Sequence, residues 1–243
     1  MERRRRVSIF VPAYNEAAHL EGAIRDIMTA AESSLEDYEI VLVDDGSTDG
    51  TAELADRLAR QHPKVVVVHH PRNQGIAAGY VHALERARFE YFGFLPGDRE
   101  ISPASIKSIL AAVGSADVVV PYHGNPAARK RHRRVLTWTS TTLVNGLFGL
   151  RMRYFQGPCV YPTSLARALP KTAGHFYFLT QMLVHAMRAG YGHVHVGLTH
   201  QERVHGRSKA VSARNVARAL RTIAGLGWAI HVRGVSLRRE DRV

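Results

Sequence analysis

The chain has 243 residues, 45% of them hydrophobic, and carries a formal net charge of +12 with a single cysteine, Cys159. This length and apolar content suit one α/β domain with an ordinary core. The lone cysteine excludes an intramolecular disulfide and suits a reducing compartment. No apolar run approaches the ~20 residues of a bilayer span, and the leading arginines run into a strand rather than a secretory apolar region.

The first predicted strand is Val7 to Val11, ended by Pro12, which cannot donate to a ladder. Asn15 is a candidate cap for a helix from about Glu16 to Ala31, with Leu20, Ile24 and Ile27 on one face. Ile40-Val41-Leu42-Val43 is an apolar run of the kind buried on both faces of a parallel sheet. It stops on Asp44-Asp45-Gly46-Ser47-Thr48-Asp49. The chain thus delivers carboxylates to the carboxyl edge, where open α/β sheets bind ligands. Gly46 permits the turn, and Ser47 or Asp49 is placed to cap a helix from Thr51 to about Gln61.

Val65 to Val68 is a third strand, followed by a turn at 69–75 and a helix over 76–88. Phe92 to Leu95 is a fourth strand, ending in Pro96-Gly97-Asp98-Arg99-Glu100. A helix opened by Ser102-Pro103 and a fifth strand at Val118 to Val120 complete the alternation. The pattern predicts right-handed βαβ units and a Rossmann-like, mostly parallel sheet flanked by helices. Asp98 then shares an edge with Asp44 and Asp45, and such hard oxygen donors suit Mg²⁺ or Mn²⁺ bridging a diphosphate.

Beyond Tyr122 the pattern changes. The basic run 129–134 leads into a helix over 135–150, with Leu136, Leu143, Val144, Leu147, Phe148 and Leu150 towards one face. Phe155 to Tyr161 is a short segment containing proline and glycine, Phe176 to Ala189 a helix, and His193 to Val196 an edge-like strand. The loop 203–209 offers Arg203, His205, Ser208 and Lys209, a donor set suited to phosphate. A last helix is expected over about 211–224. The pair His193 and His195 lacks a third ligand at motif spacing and is read as structural. No nucleic-acid-binding signature accompanies the basic runs, so a nucleic-acid partner is not expected.

Val7-Ser8-Ile9-Phe10-Val11-Pro12-Ala13-Tyr14-Asn15-Glu16, then Val43 to Thr51, then Asn73-Gln74-Gly75, together resemble a family 2 glycosyltransferase of the GT-A fold. Arg203, Gly206, Ser208 and Lys209 resemble the polyprenyl-phosphate branch, which includes the dolichol-phosphate mannose synthases. The resemblance implies one glycosyltransferase domain, with 7–122 as the nucleotide-sugar half and 123–224 as the acceptor and membrane half. Pro12, Tyr14, Glu16, Asp44, Asp45, Gly75 and Asp98 would bind a nucleotide diphosphate sugar, and Asp98 would hold the cation. Arg133, Arg203, His205, Ser208 and Lys209 would hold the acceptor phosphate.

Three positions depart from the family pattern: Pro96 replaces the first motif carboxylate, Gly157 another acid, and Gln181 the acidic residue of the following helix. Asp98 and Gln181 are therefore the catalytic candidates. The implied enzyme is an inverting hexosyltransferase at the cytoplasmic membrane face, peripherally attached to an anionic surface. A homo-oligomer or a membrane partner subunit is compatible with it. A soluble enzyme acting on a hydroxyl of a small molecule or polysaccharide, and a non-catalytic nucleotide-sugar-binding or membrane-docking subunit, are the alternatives.

Overall fold

The structure is a computed structural model that describes residues 5–125, 131–172, 177–199 and 223–228. In chain order the elements are β1 (Arg6–Ala13), α1 (Leu20–Glu32), β2 (Asp37–Asp44), α2 (Thr51–Gln61), β3 (Val65–His69), α3 (Ile76–Arg86) and β4 (Tyr91–Phe94). There follow α4 (Pro103–Ala111), β5 (Val118–His123), α5 (Arg131–Phe148), β6 (Val160–Pro162), α6 (Thr163–Ala168), α7 (Tyr177–Arg188) and β7 (His193–Leu198). The strands form one seven-stranded sheet in the order β3-β2-β1-β4-β6-β5-β7.

The strands β3, β2, β1 and β4 run parallel, as their alternation with helices predicts. Successive residues of β1 and β2 supply opposite faces. Phe10, Val41 and Val43 join Tyr80, Phe92 and Phe178 on one side, while Ile9, Val11, Ile40 and Leu42 join Ile24, Leu58 and Ile109 on the other. The first of these cores also takes in Val144 and Phe148 of α5 and Leu183 of α7, so the two sequence halves share one apolar interior.

The second half of the sheet differs from simple βαβ continuation. β6 inserts between β4 and β5, antiparallel to both. Val160 faces Gly93 across one ladder and Val119 across the other. A Cβ at Gly93 would stand 2.9 Å from Val160 Cγ2, so β4 accepts this neighbour at a position without a side chain. Only three residues long and ending in Pro162, β6 carries too little period to be identified as a strand in advance. The six-residue α6 that follows it is likewise too short to show a helical period. The edge strand expected at His193 to Val196 is β7, which runs on to Leu198, parallel to β5.

Two local expectations are corrected. α1 begins at Leu20 with His19 as its N-cap, not at Glu16 with Asn15. Gly50, at φ 87°, is the N-cap of α2, in place of Ser47 or Asp49. The expectation for 135–150 is also revised. α5 starts at Arg131, so Arg131, Arg133 and Arg134 lie in its first turn. Its apolar residues divide between two faces: Val144 and Phe148 are buried in the core, whereas Val135, Leu136, Trp138, Leu143 and Leu147 are exposed.

Candidate functional site: the carboxyl edge of β3, β2, β1 and β4

Because these four strands are parallel neighbours, their carboxyl ends bring His69, Asp44, Ala13 and the 95–98 segment to one edge. The loop after β1 and the loop after β2 are tied together by side chain to backbone bonds. Asn15 N–H donates to Ser47 Oγ at 3.0 Å, Glu16 N–H to Thr51 Oγ1 at 2.9 Å, and Ala17 N–H to Asp49 Oδ2 at 3.2 Å. Thr48 N–H returns a bond to Asn15 Oδ1 at 2.8 Å. Asn15 has φ 56°, a left-handed conformation that asparagine tolerates better than most residues. The polar residues at 47–51 are thus a clamp that fixes residues 15–17. For Asp49, desolvation opposes ionisation. The Thr51 hydroxyl and the N–H groups of Ala17 and Thr51 outweigh it and hold the carboxyl below its usual range.

Asp44 is 3% exposed, and both of its oxygens are engaged. Oδ1 accepts from Ser47 N–H at 3.1 Å and Oδ2 meets His69 Nδ1 at 3.1 Å. The other nitrogen of His69 lies 3.1 Å from Asp56 Oδ1. Ionised carboxylates only accept, so both contacts are hydrogen bonds when His69 is an imidazolium. Desolvation lowers its pKa, but the two carboxylates reverse that and leave it raised.

Asp45 is buried and shapes the neighbouring loop. Its Oδ1 accepts from His70 Nδ1–H at 2.7 Å and Gln74 N–H at 2.8 Å, and its Oδ2 from Gly75 N–H at 2.8 Å. His70 Nε2 continues to His82 Nδ1 on α3, at 2.8 Å. Gly46 turns at φ 73°, and a Cβ there would stand 2.6 Å from the Arg72 carbonyl carbon, so the 72–75 loop lies directly on this turn. Asp45 and Gly75 therefore belong to one hydrogen-bonded unit. Nothing in the sequence pattern singled out His69 and His70. Their one available signal is position, directly after an apolar strand ending at the same edge.

Asp98 reaches the edge from β4. Leu95 N–H extends the ladder to Phe10 O at 2.9 Å. A Cβ at Gly97 would stand 2.9 Å from Pro12 O, which places the Asp98 loop against the end of β1. Asp98 Oδ1 accepts Glu100 N–H at 3.0 Å. Pro12, Glu16 and Asp98 are half-buried, and Tyr14 is exposed. The edge thus combines an exposed aromatic ring, a fixed buried carboxylate and a partly exposed one, beside loops rich in backbone N–H groups.

Among the described residues, no three His, Cys, Asp or Glu side chains converge as a cation site. A single carboxylate at Asp98 fits a Mg²⁺ or Mn²⁺ whose other ligands are diphosphate oxygens and water, the usual donor set of a nucleotide-borne cation.

Gln181 is half-buried on α7, where its amide donates to Thr172 Oγ1 at 3.0 Å. Arg133 sits in the first turn of α5. Arg203, His205, Ser208 and Lys209 lie outside the described residues, as does nearly all of the expected helix 211–224. Cys159 is buried and its thiol is pushed up to about 12 by desolvation, which disqualifies it as a nucleophile at neutral pH.

The sequence profile of glycosyl transferase family 2 matches residues 8–170. The undecaprenyl-phosphate mannosyltransferase of Micrococcus luteus is 27% identical over 245 residues, spanning 96% of this chain and 98% of its own. The undecaprenyl-phosphate 4-deoxy-4-formamido-L-arabinose transferase of Pseudomonas fluorescens is 30% identical over 225 residues, spanning 87% of this chain and 62% of its own. Among solved structures, mannosyl-3-phosphoglycerate synthase from Rubrobacter xylanophilus superposes with a TM-score of 0.68 at 19% identity, over 98% of this chain and 78% of that one. Glucosyl-3-phosphoglycerate synthase from Mycobacterium tuberculosis, in complex with Mn²⁺, UDP-glucose and phosphoglyceric acid, superposes with a TM-score of 0.65 at 18% identity, over 90% of this chain and 80% of that one. The structural likeness shows the GT-A fold, and with the match of the family profile over most of its length the chain belongs to the family 2 glycosyltransferases.

Proposed function

We propose that this glycosyltransferase moves a sugar from a nucleoside diphosphate donor to polyprenyl phosphate. The observation that carries this reading is the end-to-end similarity to a transferase whose named acceptor is undecaprenyl phosphate. Pro12, Tyr14, Glu16 and Asp44 would surround base and ribose, and Asp45 and Gly75 would fix the adjoining loop. Asp98 would face the diphosphate and hold a Mg²⁺ or Mn²⁺. Once bound, the cation would neutralise charge on the departing diphosphate.

An oxygen of the acceptor phosphate attacks the anomeric carbon in line as the bond to the diphosphate oxygen breaks, with the electron pair leaving on that oxygen. The configuration inverts. An acceptor phosphate is ionised near neutral pH, so no proton must be removed. That agrees with Gln181, which has no titratable group, at the position where a base is otherwise expected. Gln181 serves here to orient, and Arg133 with Arg203, His205, Ser208 and Lys209 would balance the acceptor charge.

Support for peripheral membrane attachment comes from α5. Its exposed residues Leu136, Leu143 and Leu147 form a stripe, with Trp138 (69% exposed) and Val135 beside it and three arginines in the first turn. The helical segment 223–228 adds Trp228, half exposed, and a Cβ at Gly227 would stand 3.1 Å from Leu147 Cδ2. An apolar stripe with adjacent cations is the arrangement of an interfacial helix. Among the described residues no helix is long and apolar enough to cross a membrane.

The deciding experiment incubates the protein with radiolabelled nucleoside diphosphate sugars, Mn²⁺ and undecaprenyl phosphate in detergent. Label entering the organic phase only when the lipid is present, with inverted anomeric configuration by NMR, is the expected result. Transfer to a water-soluble hydroxyl acceptor that ignores the lipid would replace this reading with the soluble alternative.

A further inference from the structure

The loop that carries Asp98 follows a strand of only four residues, with Pro96 in place of a second acid. Its fixation on one side is clear, because Gly97 lies beneath Pro12 O. On the other side the chain wraps around Arg99. Asp98 Oδ1 accepts Glu100 N–H at 3.0 Å across it, and Arg99 takes φ 55°. A long-chain L-residue disfavours that left-handed region, so contacts that fix the Arg99 side chain help to hold the turn.

The holder is α1. Arg99 Nε donates to Asp26 Oδ2 at 3.0 Å, and the Asp26 carboxylate is largely shielded, with 19% of its side chain exposed. One turn earlier Gly22 leaves the space that the Arg99 side chain fills. A Cβ there would stand 2.8 Å from Arg99 Nη1 and 2.9 Å from Cδ. Positions 22 and 26 share a helix face, so together they form a slot: a missing side chain under the guanidinium and an acid at its end. The other acid of that stretch, Glu21, is engaged by Arg25 at 3.0 Å.

We propose that Arg99, strapped into the Gly22–Asp26 slot of α1, is a positioning residue that sets the direction of the Asp98 carboxylate towards a cation carried by the nucleoside diphosphate. The inference rests on the reading of Asp98 as the cation-facing carboxylate. With one acid in place of two, the direction of that acid decides whether the cation is met, and the strap supplies the rigidity that a second ligand would otherwise give.

Calorimetric titration of the full chain with uridine and guanosine diphosphates, with Mn²⁺ or with EDTA, tests it. For whichever nucleotide binds tighter with Mn²⁺, Arg99→Ala, Asp26→Asn and Gly22→Ala should each cut the Mn²⁺-dependent gain in affinity by on the order of tenfold, while affinity in EDTA stays unchanged. Gly22→Ala separates positioning from stability. Alanine favours a helix over glycine, so the melting temperature should hold or rise while the Mn²⁺-dependent gain falls. If Gly22→Ala and Arg99→Ala keep the full gain while Asp98→Ala loses it, Asp98 stands and the strap is refuted. If Asp98→Ala keeps the gain, or the unsubstituted protein shows none with either nucleotide, the reading of Asp98 and the strap fall together.

Discussion

Asp44 and Asp45 are adjacent in sequence but differ in what they can offer a ligand. Asp45 is occupied on both oxygens by three donors of its own chain. Asp44 accepts one bond on each oxygen, and each carboxylate oxygen has capacity for a second. Under the proposed reading Asp44 is the residue that meets the base, and Asp44→Asn should weaken donor binding. Loss of a charge-assisted bond of about 1.5–3 kcal/mol corresponds to roughly a ten- to hundredfold rise in dissociation constant. Unchanged affinity in equilibrium dialysis, with altered turnover alone, would reassign it. Asp49 makes a different prediction. Its pKa is lowered in the folded chain, so its contribution to stability is present above the unfolded value of 3.8 and is lost as pH falls through the lower folded value. Thermal melts from pH 6 down to pH 3 should show Asp49→Asn less stable than the unsubstituted chain at the upper end. The gap should narrow below about pH 4. A gap that does not narrow at all as the pH falls below the unfolded value of 3.8 would show that the clamp does not depend on the charge.

At the scale of elements, α5 and β6 matter most. The exposed stripe of α5 predicts cosedimentation with anionic liposomes that weakens in high salt. Arg131, Arg133 and Arg134 each contribute about 1 kcal/mol near an anionic surface, so replacing all three with Glu should abolish most of the binding. Equal binding of the folded protein to anionic and neutral vesicles would argue against attachment through this helix. β6 depends on its close approach to Gly93. Gly93→Ala brings a methyl group into Val160, a stiff β-branched residue that is 2% exposed. The expected cost is about 1–3 kcal/mol in urea unfolding. The double variant with Val160→Ala should show a cost below the sum of the two single variants.

At the scale of the molecule, one core cluster joins β1, β2, α3 and β4 to α5, α6 and α7. Two sequence halves built on a shared interior should unfold together, so calorimetry should give one transition, which under the proposed function is shifted upwards by nucleoside diphosphate with Mn²⁺. Two separable transitions would divide the chain into two domains.

The sequence by itself determined the parallel half of the sheet, because short apolar runs such as Ile40 to Val43, each ended by turn residues and followed by a helical period, suit strands covered on both faces. It also determined that carboxylates collect at one edge, since parallel strands all end on the same side. Only the tertiary structure decided what each polar residue at that edge does. Ser47 and Thr51 serve loop residues 32 and 35 positions away, and His69 reaches back 25 positions to Asp44. Such bonds depend on which strands become neighbours, which no local period encodes. The same holds for α5, where the pattern gave an apolar helix but not which of its residues the core would cover. Burial is set by what packs opposite, and among the described residues α5 has the protein interior on one side only.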